Sequence, residues 1–322
     1  MAVYTEVSPA QAAALLQELG LGDLQSLTPI GSGIENTNYF VSATEGEFVL
    51  TLFERLSAAQ LPFYLQLMRH LARHGLPVPE PHANAQGDLV LQVAGKPAAL
   101  VSRLSGHGID APDLHHCAQL GATLARMHLA VADFPLRQPN LRGLPWREAT
   151  APTVRPLLAG AATRLLDDEM AFQRHLAASP SHVRLPQGAV HADLFRDNAM
   201  FDGLPGRERL SGVFDFYFAG VDSLGYDLAV VLNDWCIDLE TGALVTERAQ
   251  ALLSAYQAER KCTGDELRLL PGLRRAAALR FWLSRLADWH APRDASLLTP
   301  KDPAHFERVL RQCIAQPWHP DA

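Results

Sequence analysis

Two kinds of hydrophobic pattern divide this chain, and the change between them lies near Gly106. Before that point, short runs of β-branched and aromatic residues, such as 48–53, are separated by turn signals, as is typical of antiparallel strands. After it, apolar residues recur at helical spacing over long stretches, for example 113–130 and 265–290. The pattern predicts an α+β fold with two lobes, of which the first is small and strand-rich and the second is larger and mostly helical.

Individual elements follow from periodicity and turn residues. Ser8 and Gly20 are the start and stop signals of a first helix. The other predicted elements are strands at 39–41, 48–53, 88–93 and 97–104, helices over 57–74, 113–130, 155–178, 246–260, 265–290 and 303–316, and short strands near 189–193 and 210–216. The stretch 137–155 contains several prolines, and we expect a loop there. The expected lobes are 1–104 and 105–322, with a hinge at about 101–106.

Composition excludes several classes of protein. A formal charge of −7 on 322 residues argues against a surface that attracts nucleic acid. No run of about 18 apolar residues would span a membrane, and the four cysteines show neither a CxxC pair nor zinc-like spacing. The N-terminal segment lacks the features of a secretory signal. We therefore expect a cytoplasmic protein with free thiols, and neither nucleic acid nor a membrane as its partner.

The most informative motif is His191-Ala192-Asp193, with Asn198 five residues after the aspartate. It lies where an apolar strand passes into a loop. Further along the chain, Asp215 closes a second apolar strand, where an acidic side chain is costly unless it is paired or binds a cation. A helix start that contains Asp227 follows twelve residues later.

Phosphoryl transfer from ATP needs this set of groups. Asp193 would orient the attacking hydroxyl and accept its proton, and Asn198 and Asp215 would hold the Mg²⁺ that neutralises the triphosphate. His191 would support the loop by hydrogen bonding rather than react. The alternative is purely structural, with Asp193 and Asn198 in Asx turns and Asp215 as a turn cap.

The chain resembles the kinase-like phosphotransferases of small molecules, a family that includes the aminoglycoside and choline kinases. The resemblance covers nearly the whole chain. It rests on the glycine-containing hairpin 31–41, the helix with Leu120-Gly121 and Met127-His128, the His-x-Asp-x4-Asn motif, Asp215 and Asp227-Leu228-Ala229. It implies a bilobal protein-kinase-like fold, with a small antiparallel sheet in the N-terminal lobe, and ATP and Mg²⁺ as cofactors.

Within this family, several longer phrases resemble the homoserine kinases of the ThrB type. They are 33–41 (GIENTNYFV), 48–54 (FVLTLFE), 191–195 (HADLF), 233–236 (NDWC) and 279–286 (LRFWLSRL). This resemblance implies phosphorylation of L-homoserine to O-phospho-L-homoserine in threonine biosynthesis. Choline, methylthioribose and aminoglycosides stay open as acceptors, because one fold can carry different acceptor pockets.

The glycine-containing hairpin is the expected phosphate-binding element. Glycines at its tip let main-chain N–H groups approach phosphate oxygens without a Cβ clash, and nearby side chains add donors. The nucleotide-binding residues that we expect are Gly31, Ser32, Gly33, Asn36 and Asn38 in the hairpin and, by resemblance, Val101 and Arg103 in the hinge.

Lysine is scarce in this chain. Of 28 basic residues only three are lysines, namely Lys96, Lys261 and Lys301. Kinases of this architecture usually place a lysine on the third strand, where it pairs with a glutamate on the next helix. Here Thr51 occupies the strand position and the predicted helix 57–74 contains no acidic residue. Both partners are absent together, which avoids an unpaired buried charge. Either Arg55 or the glycine hairpin would then take over the phosphate contact, or the protein binds nucleotide weakly.

An amino-acid acceptor carries a carboxylate, which an arginine can bind in a bidentate manner, and an ammonium group, which an aspartate can bind. The candidates in the catalytic loop and on two later helices are Arg196, Asp197, Asp234, Trp235, Arg280, Trp282 and Arg285. Each of them also fits a structural role, as a surface arginine or a core aromatic. We therefore expect only one or two of them to contact the acceptor.

Two alternatives come from other functional classes. Thr51 in place of the lysine is compatible with a catalytically inactive, kinase-like binding module, although retention of Asp193, Asn198 and Asp215 argues against it. His191 with the same two aspartates could instead ligate the metal of a hydrolase. The chain lacks an obvious second histidine at suitable spacing for such a site.

Overall fold

A computed structural model describes residues 4–31, 36–290 and 301–320. These residues fall into two compact units. The first contains the described residues up to Gly106 together with Ser211–Phe214, and the second contains His107–Leu210 and the described residues from Asp215 onward. Each unit is described by itself below.

The first helix of the first unit, α1 (Pro9–Leu19), begins after Ser8 and ends before Gly20. The Ser8 side chain accepts a hydrogen bond from the Gln11 N–H, and the Gln11 side chain accepts one from the Ser8 N–H, which forms a capping box. Gly20 ends the helix in the left-handed region at φ 67°. The predicted start and stop are confirmed.

A five-stranded antiparallel sheet forms most of the first unit. Its strands are β1 (Leu24–Pro29), β2 (Asn36–Ala43), β3 (Gly46–Phe53), β4 (Leu91–Val93) and β5 (Lys96–Ser102), in the order β1-β2-β3-β5-β4. Helix α2 (Pro62–Arg73) lies between β3 and β4 in the chain. Strand β1 is missing from the sequence prediction, because its polar residues carry no apolar alternation.

One face of this sheet packs under α1. Leu15 and Leu16 of the helix belong to the same buried cluster as Tyr39, Val41 and Leu50. Since successive side chains of a strand point to opposite faces, Asn38 and Thr51 lie on the other face. The polar side chains of these strands therefore form two groups, one on each face of the sheet.

The second unit is mainly helical. Its helices are α3 (Leu114–Ala130), α4 (Leu144–Val154), α5 (Ala161–Ala177), α6 (Pro180–Val183), α7 (Leu224–Trp235), α8 (Thr246–Glu259), α9 (Gly264–His290) and α10 (Ala304–Ala315). In this unit β6 (Gln187–Val190) pairs with β9 (Gly220–Ser223) in a two-stranded sheet. The remaining strands are β7 (Ala199–Asp202) in this unit and β8 (Arg209–Val213), which begins here and ends in the first unit. The predicted α+β class is confirmed.

The predicted loop 137–155 is wrong over most of its length: α4 occupies Leu144–Val154, whereas 137–143 contain no helix. Pro145 lies in its first turn, where the missing N–H is not needed. Pro152 lies near its C-terminal end. Prolines in these two positions are compatible with a short helix, so counting them did not predict a loop correctly.

Helices α3 and α8 pack closely against each other. A Cβ added to Gly121 would lie 2.1 Å from the main-chain oxygen of Leu252, so the two backbones touch at this point. Helix α7 is buried along its whole length and packs against the long helix α9. Among the described helices, none combines the length and apolarity required to cross a bilayer.

Candidate active site

The segment that carries the strongest motif follows β6 and lies in the second unit. Ala192, between His191 and Asp193, adopts φ 63°. A left-handed conformation is rare for a residue with a Cβ and costs on the order of 1–3 kcal/mol. Such a conformation persists only where the surroundings hold it, and here the holding group is a buried carboxylate.

That carboxylate belongs to Asp227 in the first turn of α7. Its Oδ2 accepts the main-chain N–H of His191 and its Oδ1 accepts that of Ala192, both at 2.8 Å. Burial opposes ionisation of Asp227, but the hydrogen bonds from His128 and from the loop outweigh it and lower its pKa. Asp227 therefore fixes the backbone immediately before Asp193.

A chain of buried side chains supports Asp227 in turn. His128 Nε2 lies 3.1 Å from Asp227 Oδ2, and His128 Nδ1 lies 2.7 Å from the Tyr256 hydroxyl. Arg260 donates to that hydroxyl at 3.0 Å and pairs with Glu266 at 2.9 Å. Sequence reasoning quoted Met127-His128 only as part of a resemblance and missed the role of His128, because its partners are far away in the chain.

His191 is almost completely buried beside the motif. Its Nδ1 accepts the main-chain N–H of Asp193 at 3.3 Å, and its ring centroid lies 4.6 Å from that of Phe216. The imidazole is thus occupied by the loop and by an aromatic neighbour. We propose that it positions Asp193 and takes no part in proton transfer.

Asp193 lies between groups of opposite charge. Its side chain is 16% exposed, and its Oδ1 lies 3.5 Å from Nη1 of the buried Arg280. The pKa of Asp193 is raised to about 7, mainly by burial and with a contribution from the carboxylates of Asp215 and Asp197, against the opposing effect of Arg280 and Lys301. A half-buried carboxyl with a raised pKa has the properties of a general base that works near neutral pH.

Asn198 lies directly against this aspartate. Its Nδ2 donates to the main-chain oxygen of Asp193 at 2.7 Å and lies 3.4 Å from Asp193 Oδ2. With the amide nitrogen turned toward Asp193, Oδ1 is the atom left to ligate a cation. An amide oxygen is a suitable ligand for a hard divalent ion.

Asp215 adopts a left-handed conformation at φ 64° and precedes the short 3₁₀ turn Phe216–Phe218. Its side chain is exposed, and its charge raises the pKa of Asp193, so the two carboxylates are near each other. A carboxylate and an amide oxygen near Asp193 fit Mg²⁺, which takes oxygen ligands and retains several waters.

Two of the predicted acceptor residues bind each other. Asp234 Oδ2 accepts the Arg196 N–H at 2.8 Å and Arg196 Nε at 3.1 Å. Arg196 also donates to the main-chain oxygens of Asp110 and Asp234. This arginine is therefore fully used in fixing the catalytic loop to α7, and we leave both residues out of the proposed acceptor site.

Lys301 forms an ion pair with Asp197 at 2.9 Å, so one of the three lysines lies beside the catalytic loop. Arg285 donates to the main-chain oxygen of Asp302 at 3.1 Å and stacks over the Phe306 ring. Burial lowers the pKa of Arg285 to about 10, and four nearby aspartates oppose that shift. These residues surround the site with positive charge without touching Asp193.

Trp235 and Trp282 are 0% exposed, and Trp235 Nε1 donates to the main-chain oxygen of Leu194. A fully buried indole cannot touch an acceptor without rearrangement of the core. We therefore assign both tryptophans to the core, which corrects their place among the acceptor candidates.

Three buried polar atoms of the second unit, one of them on Arg280, have no hydrogen-bond partner within the described residues. They are Arg280 Nε, Arg147 Nε and the Tyr226 hydroxyl. Burial raises the pKa of Tyr226 to about 12, while Arg280 and Arg147 oppose the shift, so the hydroxyl lies near both guanidinium groups. Sequence reasoning missed Arg147 and Tyr226, because nothing in their local pattern separates them from core residues.

In the first unit, the described part of the expected nucleotide site is incomplete. Ser32 and Gly33 lie outside the described residues, Gly31 is exposed, and Asn36 is half-buried at the start of β2. The Thr51 hydroxyl donates to Asn38 Oδ1 at 2.8 Å. A hydroxyl–amide pair thus occupies the position where lysine was expected, and it leaves the Asn38 amide nitrogen as a donor.

Lys96 does not replace the missing lysine. It pairs with Glu54 at 3.1 Å, and Glu54 also accepts a hydrogen bond from Thr37 at 2.8 Å. Burial favours neutral Glu54, but hydrogen bonds from Thr5, Thr37 and Lys96 lower its pKa. Thr37 lies on the α1 side of the sheet, opposite the face with Asn38 and Thr51.

The two expected hinge residues have partners within the first unit. Val101 is buried in β5 opposite Val49. The Arg103 guanidinium lies over the Phe40 ring and pairs with Glu47 at 3.2 Å, and its N–H donates to the Glu47 oxygen. The Val101 side chain is thus buried, whereas the Arg103 side chain stays 43% exposed.

Known proteins support and extend this description. The family model described as "Phosphotransferase enzyme family" matches residues 26–278. A homoserine kinase of Polaromonas naphthalenivorans (strain CJ2) is 55% identical over 318 residues, which cover 99% of each chain. A homoserine kinase of Janthinobacterium sp. (strain Marseille) is 52% identical and covers 99% of this chain and 98% of its own.

Solved structures share the fold at low sequence identity. The amicoumacin kinase hAmiN has a TM-score of 0.68 at 17% identity, with 94% of this chain and 93% of that chain covered. A microcompartment-associated aminopropanol kinase has a TM-score of 0.64 at 18% identity and covers 93% and 94%. The predicted kinase-like fold and the recognised family are both confirmed: the chain belongs to the phosphotransferase enzyme family.

Proposed function

We propose that this protein is an ATP-dependent kinase that phosphorylates the side-chain hydroxyl of L-homoserine, in the cytoplasm. The observation that carries the reaction type is the half-buried Asp193 carboxylate, which lies between Asn198 and Arg280. The choice of homoserine is supported by the names of relatives that are more than half identical over almost the whole chain. The product would be O-phospho-L-homoserine, an intermediate of threonine biosynthesis.

The chemistry needs few groups. Asp193 accepts a hydrogen bond from the acceptor hydroxyl, and the hydroxyl oxygen attacks the γ-phosphorus of ATP. The bond from that phosphorus to the β–γ bridging oxygen breaks, ADP leaves, and the hydroxyl proton passes to Asp193. Asn198 Oδ1 and the Asp215 carboxylate are the ligands we assign to Mg²⁺, which supplies charge neutralisation for the phosphates when bound.

Arg280 is the group we assign to the acceptor carboxylate. It is buried, its Nη1 is 3.5 Å from Asp193 and its Nε has no partner within the described residues. A guanidinium this close to Asp193 would bind the carboxylate of an amino acid so that its side-chain hydroxyl lies at the general base. The nearby Tyr226 hydroxyl, also without a partner there, would add a second donor to the same carboxylate.

The test is the conservative variant Asp193→Asn in an assay that couples ADP release to NADH oxidation. We expect turnover with homoserine, ATP and Mg²⁺ to fall by at least about 10³-fold, with an unchanged circular dichroism spectrum and melting temperature. Asp168→Asn, an exposed aspartate on α5, is the matched control and should keep full activity. Turnover retained in folded Asp193→Asn would contradict the assignment.

A panel of alcohols tests the acceptor. Homoserine should give the highest kcat/KM when compared with serine, threonine, choline, methylthioribose and an aminoglycoside. ADP release with another alcohol but not with homoserine would keep the kinase and reject the acceptor. Absence of ADP release with every alcohol would favour an inactive binding module.

A further inference from the structure

A cavity outside the proposed active site lies in the second unit, near the start of α8 and the end of α10. Its volume is about 210 Å³. The residues that line it include Leu244, Thr246, Arg274, Gln312, Gln316 and Trp318. The cavity has the size of a small metabolite, and no residue assigned to phosphoryl transfer lines it.

Arg274 is the unusual member of this lining. Its side chain is among the largest that are fully buried, at 2% exposure. Nε donates to Asn233 Oδ1 at 3.0 Å. Across the described ranges, no carboxylate lies within ion-pair distance of its guanidinium and no group accepts a hydrogen bond from its two Nη atoms. The two Nη atoms are not sealed in the core but are accessible from the cavity, so an anion there can bind both of them.

The other walls of the cavity also favour a negative group. Thr246, which lines the cavity, begins α8, and Val245 before it supplies no side-chain cap. The positive end of the helix dipole is therefore at this wall, with Glu247 in the same first turn. The amides of Gln312 and Gln316 add donors and acceptors. None of the lining residues is acidic. The planar guanidinium is matched in geometry to a carboxylate, which can take two parallel hydrogen bonds.

We propose that this cavity binds the carboxylate of a small metabolite, with Arg274 as the anchor, at a site separate from the active site. The site is also connected to the catalytic loop. Asn233 donates to the main-chain oxygen of Arg274 at 2.7 Å while accepting from its Nε. The next residue, Asp234, accepts the N–H of Arg196 in the loop. Occupation of the cavity therefore acts on the loop through the Asn233–Asp234 segment.

Direct binding tests the site independently of the proposed function, since neither ATP nor turnover is needed. Acetate, succinate, the free amino acids and inorganic phosphate are titrated into the full-length protein by calorimetry and by thermal unfolding. We expect at least one carboxylate to bind and to raise the melting temperature. Arg274→Gln should weaken that binding by at least about tenfold, as expected for loss of a charged hydrogen-bonding partner.

Arg311→Gln is the matched control, because Arg311 lies on α10 near the cavity but pairs with Glu307 at the surface. It should bind the carboxylate like the wild type, and so should Arg280→Gln if the two sites are separate. Equal affinity in Arg274→Gln, absence of binding by every carboxylate, or binding of phosphate alone would overturn the proposal.

Variants of other cavity-lining residues and steady-state kinetics test the same site in two further ways. If Arg274→Gln does not fold, Gln316→Leu and Gln312→Leu narrow the cavity without touching the Arg274–Asn233 bond, and each should weaken binding. The bound carboxylate should also change kcat or the KM for ATP in the wild type and not in Arg274→Gln. Binding that changes neither would overturn the connection to the catalytic loop.

Discussion

Asp227 holds Ala192 in a left-handed backbone conformation. Its Oδ1 accepts the Ala192 N–H at 2.8 Å, and its Oδ2 accepts the neighbouring His191 N–H at the same distance. The two donors immediately before Asp193 therefore share one carboxylate. This arrangement determines the direction in which the chain leaves β6, and with it the position of the Asp193 side chain.

Asp227→Asn should loosen this part of the catalytic loop. An amide has one acceptor oxygen, so the variant leaves a buried main-chain N–H without a partner, at a cost of about 1–3 kcal/mol. We expect unfolding in urea at lower concentration and a kcat reduced by at least about tenfold, with a smaller change in the KM for ATP. Asp168→Asn is the surface control. A normal kcat in Asp227→Asn would show that the loop needs no clamp.

The stabilising effect of Asp227 should also depend on pH. Because its pKa is lowered in the folded protein, its contribution is fully present above the usual aspartate value of about 3.9 and is lost as pH falls through the lower folded value. The difference in unfolding free energy between wild type and Asp227→Asn should be constant from about pH 8 to about pH 5 and should shrink below about pH 4. Urea unfolding curves across this range measure it, and a difference that already shrinks above about pH 6 would contradict the lowered pKa.

Arg280→Met tests the acceptor assignment. Loss of a guanidinium that binds the substrate carboxylate should raise the KM for homoserine by about 10- to 100-fold, while the KM for ATP changes little. Arg285→Met is the matched control, since Arg285 is used by Asp302 and Phe306, and its KM for homoserine should change less than about threefold. Equal effects of the two substitutions would remove Arg280 from the acceptor site.

Thr51→Val tests the pair that occupies the lysine position. Valine has nearly the same shape but cannot hydrogen-bond to Asn38, so the amide loses its orientation. We expect the KM for ATP to rise by about two- to tenfold, with little change in the KM for homoserine. Ser42→Ala, a hydroxyl on the same sheet that contacts Glu47 instead, serves as control. An unchanged KM for ATP would place the phosphate contact elsewhere.

Local pattern was sufficient for the fold class and the family. The hydrophobic periods of strands and helices can be told apart within a few residues of chain. The His191-x-Asp193 motif and Asn198 span only eight positions, so one loop brings these side chains together. The same local reasoning failed at α4, where proline content was taken for a loop. It left Trp235 and Trp282 open between the core and the acceptor site, because their burial depends on neighbours distant in the chain.

The sequence by itself determined the α+β class, the phosphotransferase family and the short motif that carries the chemistry, because each is encoded by neighbouring residues. Only the tertiary structure decided how that motif is held. Asp227 reaches its loop across 36 positions and His128 reaches Asp227 across 99, and Arg280 meets Asp193 from a separate helix. The small number of lysines is evident from the composition. The face of the sheet on which Lys96 lies is decided by strand pairing. Hydrogen bonds between distant segments form only when the chain folds, and no local pattern specifies them.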